Sequence, residues 1–232
     1  SFPTRRSSDL EIIFSFRGTI DKYVGDMIVA FWGAPINDEE HAYHAVMASL
    51  KMIEQLPVIN AKMVEHNLPE VNIGIGLATG LMNVGDMGSE FRRAYTVIGD
   101  TVNLGSRLQD LTKFYHVNIL VSDGTRAGQE HFAWRAIDKI TVKGRKTGLV
   151  IYQPLGIRAE IAEDVLAELD EYHNALNDYY ERNWSSAEKK FDMLKNKSPD
   201  IYIYKLYLER IKEFMVNPPG EHWTGVYVHL QK

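Results

Sequence analysis

The spacing of apolar and polar residues changes several times along the chain, and each change marks an element. From Glu11 the pattern reads as the closing turns of a helix that stops at Gly18. Before it, Ser1 to Leu10 have neither a helical nor an alternating apolar period and run basic and Ser-rich, which reads as a foreign or disordered segment. Thr19 to Gly33 then hold two β-rich runs around Gly25-Asp26, a hairpin signal. Asn37-Asp38-Glu39-Glu40 is a helix start, followed by Ala42, Ala45, Val46, Ser49 and Ile53 at helical spacing, with Pro57 as the expected stop. Val71 to Leu81 alternates as a strand, Tyr95 to Ile98 is a short strand, and Asp100 to Lys113 has the period of a helix opened by Gly99. Strands follow at Val117 to Val121, Phe132 to Ile140 and Leu149 to Tyr152, the last two flanking the basic turn Lys143-Gly144-Arg145-Lys146. The order is mixed, so the class is α+β.

Beyond Leu155-Gly156 the character changes. Ala159 to Met215 contains no strand signal and is dense in helix formers, broken at Pro199 and Pro218-Pro219. Residues 11–155 therefore read as one domain and 156–232 as a helical tail. Ala187, Phe191 and Pro199 match the second half of a tetratricopeptide-type repeat, although one repeat cannot bury a continuous core by itself. A helical hairpin with chance spacing is the plainer alternative.

Composition narrows the function classes. The 232 residues carry a net charge of −5, which offers no broad basic footprint for nucleic acid. No run approaches the length of a membrane span, there is no signal-peptide core, and zero cysteines exclude disulfides and thiolate metal sites. These features predict a cytoplasmic chain. His41 and His44 sit three apart without a carboxylate at ligand spacing, so they are not read as a zinc site.

Two segments carry the candidate chemistry: Asp21-Lys22-Tyr23-Val24-Gly25-Asp26-Met27-Ile28-Val29-Ala30-Phe31 and Tyr95-Thr96-Val97-Ile98-Gly99-Asp100-Thr101-Val102-Asn103-Leu104-Gly105-Ser106-Arg107. Taken singly, Gly25-Asp26 is turn chemistry and Asn103 with Arg107 is a solvated i, i+4 face. Together and in this order they resemble the catalytic domain of class III adenylate and guanylate cyclases, over Glu11 to Leu155.

The resemblance implies a ferredoxin-like fold with a βαββαβ core and a site using two divalent cations, Mg²⁺ or Mn²⁺. Asp26 falls at the second metal carboxylate, Asn103 at the residue that orients the ribose, and Arg107 at the one that stabilises the transferring phosphoryl group. Lys143 falls at a lysine gripping the β- and γ-phosphates. Lys22 and Thr96 fall at the base-reading pair. A Lys ammonium facing N1 and a hydroxyl facing the N6 amino group complement adenine, whereas guanine presents an N1 donor that a cationic Lys cannot accept. ATP is the implied substrate. Thr at position 96, where an Asp is commoner, resembles the subgroup that includes bicarbonate-responsive enzymes. The family also implies a head-to-tail homodimer, in which Asp26 of one copy faces Lys22, Thr96, Asn103 and Arg107 of the other.

The family's first metal carboxylate lies on an opening strand with the pattern Asp-x-x-Gly-Phe-Thr, which this sequence does not contain. The expectation is a cyclase fold lacking its first strand, weak or inactive as it stands, from a parent with a cytoplasmic catalytic domain and a possible membrane anchor. Alternatives are a guanylate cyclase, disfavoured by Lys22, and a catalytically silent module that dimerises and meets a protein partner through the helical tail. A diguanylate cyclase is disfavoured because Val24-Gly25-Asp26-Met27 stands where its Gly-Gly-Asp/Glu-Glu-Phe hairpin belongs.

Overall fold

Gly25 takes a positive φ of 63° between β1 (Thr19–Val24) and β2 (Met27–Phe31), and the antiparallel hairpin forms where the sequence predicts it. The structure is a computed structural model and describes residues 3–89, 92–141 and 148–226, with side chains placed for 8–88, 94–141 and 148–226. Two compact units emerge: Ser1–Lys113 with Asn118–Gln129, and Phe114–Val117 with Glu130–Lys232. Among the described residues no helix is long and apolar enough to cross a membrane.

In the first unit, helix α1 spans Pro3–Ser15, which corrects the reading of Ser1 to Leu10 as non-helical. Pro3 stands at the first helical position, where its missing N–H has no intrahelical partner to lose. The helix is held partly by polar contacts that leave no apolar period: Asp9 is buried, and the Ser8 hydroxyl donates to Gln55 Oε1 at 2.8 Å. Helix α2 runs His41–Glu65, straight through the expected stop at Pro57. Buried Val46, Leu56 and Met63 on its packed side outweigh the one backbone hydrogen bond that proline removes. Its start is tied down by Asp38, whose carboxylate accepts from the Glu40 N–H at 3.2 Å and meets His44 Nδ1 at 2.7 Å. Burial works against the Asp38 charge, but His44, the Glu40 amide and Arg17 prevail and hold its carboxyl below the usual range.

The strand expected over Val71 to Leu81 is confined to β3, Ile75–Leu77. Side-chain amides take the ladder's place on either side of it. Asn60 bonds both backbone groups of Val71, at 2.9 and 3.1 Å, and Asn118 Nδ2 donates to the Ile73 carbonyl at 3.0 Å. β3 pairs in parallel with β6 (Ile119–Ser122), which is followed by the single turn α4 (Asp123–Arg126). Between them lie the hairpin β4 (Asn83–Ser89) and β5 (Arg92–Ile98), then helix α3 (Asp100–Tyr115). β4 is not foreseen, because its Gly85 and Gly88 break any apolar alternation.

In the second unit β7 (Phe132–Ile140) and β8 (Leu149–Ile157) pair antiparallel, β8 running past the expected end at Tyr152. Helices α5 (Glu163–Tyr180), α6 (Trp184–Lys197) and α7 (Tyr202–Val216) belong to this same unit. Ala187 and Phe191 are fully buried, and α6 ends before Pro199.

The helices satisfy backbone groups of β7. Tyr172 donates to the Ala136 carbonyl, Tyr207 donates to Ile137 O at 2.8 Å, and His173 Nε2 lies 3.3 Å from the Ala136 amide. Beside them Asp138, with no exposed surface, pairs with Arg210 at 2.8 Å and accepts from the Tyr115 hydroxyl at 2.6 Å. Burial disfavours the Arg210 charge, and the Asp138 carboxylate more than offsets it, so the guanidinium is held above its ordinary value. Removing one member of such a pair strands the other. Arg210→Ala is expected to cost about 3–5 kcal/mol in urea unfolding, and Asp138→Asn combined with Arg210→Met to recover much of that loss.

Candidate active site

The site residues lie in the first unit, on the β1–β2 hairpin, β5 and α3. At Gly25 a Cβ would meet no atom within 4 Å, so the backbone angle rather than space selects glycine at the turn. That turn carries Asp26 out to solvent at the hairpin tip. The hairpin reaches β5 through two contacts: Phe31 and Tyr95 pack with ring centroids 6.1 Å apart, and Lys22 Nζ donates to Thr96 Oγ1 at 3.2 Å. Residues 74 apart in sequence thus meet as the pair expected to read a base. Across the β4–β5 ladder Thr96 faces Gly85, where a Cβ would also find open space. The face beside the Thr96 hydroxyl is therefore not filled by a cross-strand side chain.

Helix α3 begins after Gly99, with the Val102 N–H donating to Gly99 O at 3.1 Å. Its inner face is set by Leu104 and Leu108, both buried. A Cβ on Gly76 of β3 would overlap the backbone of Gly105 and Gln109, so the helix lies directly on the strand. With Leu104 and Leu108 inward, Asn103 and Arg107 are exposed one turn apart. Neither they nor Asp26 make a side-chain hydrogen bond or ion pair with the described residues. The structure thus joins Lys22 to Thr96 and leaves Asp26, Asn103 and Arg107 facing outward as free donors and acceptors. Lys143 lies outside the described residues.

One residue at the site is missed by the sequence reading. The Asp21 side chain is 1% exposed, with Oδ2 3.1 Å from Lys22 Nζ. Neighbours on a regular strand point to opposite faces, so adjacency gives no hint of this approach. Two shallow surface depressions lie elsewhere, one lined by Ser8, Ile12 and Gln55 and one by Arg182, Trp184 and Phe214. In a single copy the candidate site is an open surface.

A family model described as the adenylate and guanylate cyclase catalytic domain matches residues 18–154. Adenylate cyclase 1 of Rhizobium meliloti (strain 1021) is 36% identical over 148 residues, 63% of this chain and 22% of the relative. The chain thus spans about a fifth of that relative's length. Among solved structures, the adenylyl cyclase CyaB from P. aeruginosa superposes with a TM-score of 0.60 at 29% identity, covering 68% of this chain and 82% of that one. The guanylyl cyclase Cya2 superposes at 0.58, also with 29% identity, over 67% of this chain and 79% of its own. Both likenesses bear out the expected α+β class.

Because Asn103 and Arg107 are exposed and make no side-chain hydrogen bond or ion pair with the described residues, Asn103→Ala and Arg107→Ala are each expected to change unfolding free energy by no more than about 0.5 kcal/mol. Chemical denaturation checks this, and a larger loss would assign the pair a structural role.

Proposed function

Since the chain belongs to the adenylate and guanylate cyclase catalytic-domain family, matched over residues 18–154, we propose that it carries the catalytic part of an adenylate cyclase. The reaction converts ATP to 3′,5′-cyclic AMP and pyrophosphate. The observation that carries the choice of base is the 3.2 Å contact between Lys22 Nζ and Thr96 Oγ1. The ammonium offers a donor to adenine N1, and the hydroxyl oxygen keeps a lone pair for the N6 amino group. Guanine would leave its N1 donor facing a cation, at a cost of about 1–3 kcal/mol for an unpaired buried group.

Asp26 fits a hard divalent cation, Mg²⁺ or Mn²⁺, as an oxygen donor on an exposed turn. Among the described residues no cluster of three or more His, Cys, Asp or Glu forms a closed cage. In a nucleotide site substrate phosphates complete the coordination of such a cation. Two such cations, when bound, supply charge that offsets the triphosphate and favours deprotonation of the ribose 3′-hydroxyl. The other carboxylate, the family's first, would come from the Asp-x-x-Gly-Phe-Thr strand, which is not in this sequence; the chain as it stands is accordingly proposed to turn over weakly.

In the reaction the 3′-oxygen forms a bond to the α-phosphorus as the bond to pyrophosphate breaks. Asn103 orients the ribose through its amide, and Arg107 donates to the phosphoryl oxygens as their charge redistributes. Lys143 is assigned to the β- and γ-phosphates. All three act by positioning and by electrostatics, which is what phosphoryl transfer requires of a protein. The outward Asp26, Asn103 and Arg107 suit a site shared by two copies in a homodimer. We assign residues 11–155 to the catalytic segment and 156–232 to a tail, TPR-like in α6, that offers a protein contact. Its proposed setting is the cytoplasm.

The guanylate reading keeps one supporting observation, the likeness to guanylyl cyclase Cya2 at 29% identity. The test uses the chain preceded by the family's opening strand, incubated with Mn²⁺ and either ATP or GTP, with both cyclic nucleotides quantified. Cyclic AMP is expected, falling about 10²–10³-fold in Arg107→Ala. Cyclic GMP as the main product would install the guanylate reading, and no product from a folded dimer would favour the silent module.

A further inference from the structure

We propose that Asp21 is a positioning residue for base recognition: the charge of its buried carboxyl group holds the Lys22 ammonium beside Thr96 and leaves Lys22 N–H donors for the substrate base. This rests on the reading of Lys22 and Thr96 as the base-reading pair.

The argument begins with strand register. Ile20 pairs with Ala30 and Lys22 with Val29, so Asp21 is the extra residue of a β-bulge. A bulge breaks the alternation of faces and re-aims a side chain, which regular pairing would have sent away from Lys22. The outcome is an unequal pair. Asp21 is 1% exposed at its side chain and Lys22 49%, with Oδ2 and Nζ 3.1 Å apart.

Asp21 Oδ2 has no hydrogen-bond partner among the described residues, so the nearby ammonium is its evident compensation. A buried carboxyl oxygen lacking hydrogen bonds is a poor device for holding a hairpin, since an apolar side chain of similar size would fold at least as well. Its advantage lies in what it does to Lys22. The lysine stem has several rotatable bonds, and an ammonium has three donors and no acceptor. Thr96 on β5 accepts from one of its donors, and the Asp21 carboxylate on β1 attracts the ammonium at 3.1 Å. Its remaining donors are left for a ligand, beside the open space next to Gly85 across from Thr96. Asp21 touches no substrate atom in this arrangement. It acts by restricting where the ammonium sits before the base arrives, which reduces the ordering cost of binding.

The test measures dissociation constants of ATP and GTP with Mn²⁺ on the full chain by calorimetry, for the wild type, Asp21→Asn and Lys22→Ala, with thermal midpoints alongside. The wild type is expected to favour ATP. Asp21→Asn should weaken ATP about tenfold and GTP less than about threefold, moving toward Lys22→Ala. A purely structural Asp21 would lower the midpoint and leave the ATP-to-GTP ratio unchanged, and that result overturns the proposal. If Asp21→Asn does not fold, Asp21→Ser is read by the same ratio. A wild type without preference for ATP would instead contradict the assignment of Lys22 and Thr96 themselves, whatever the variants do.

Discussion

The geometry of the site depends first on how closely α3 lies on β3. Gly76 has no side chain, and any Cβ there would overlap the backbone of Gly105 and Gln109. That contact fixes the helix at backbone distance and, with Leu104 and Leu108 buried, fixes its rotation. Asn103 and Arg107 have no other direction left than outward. A helix seated one side chain further out could rotate, and the Arg107 guanidinium proposed to meet a phosphoryl group would lose its aim. Positioning of this kind accounts for much of the barrier reduction in transfer reactions.

The second constraint joins the hairpin to β5. Phe31 on Tyr95 supplies apolar contact, and Lys22 to Thr96 supplies a polar one. The bulge at Asp21 brings a third group to the same point. The polar groups of the first unit therefore fall into two sets. Lys22 donates to Thr96 and pairs in charge with Asp21 within a single copy, whereas Asp26, Asn103 and Arg107 find no partner among the described residues. Such a division suits an arrangement in which each copy recognises a base by itself and completes the phosphate chemistry with its neighbour.

Much of this was legible in the sequence because turn chemistry and apolar period are local signals. Gly25-Asp26 marked the hairpin, and the apolar period of Asp100 to Lys113 marked α3, whose inner face proves to hold Leu104 and Leu108. What escaped depends on distant partners. The ends of β3 are set by the amides of Asn60 and Asn118, and α2 crosses Pro57 because its packed face holds it. The start of α1 was hidden by its polar composition, and β4 by its glycines. At the site, the meeting of Lys22 with Thr96 was implied by the family resemblance, while Asp21 required the register of β1.

The central claim, a cyclase site completed by two copies, is tested most directly by complementation. Asp26→Asn and Lys22→Ala proteins, each carrying the opening strand, are unfolded together, refolded as a mixture and assayed for cyclic AMP. A mixed dimer holds one site with Asp26 and Lys22 both intact and one with neither. Random pairing of inactive parents should then recover about a quarter of wild-type activity. No recovery from a mixture shown to contain mixed dimers would contradict a site shared in this way.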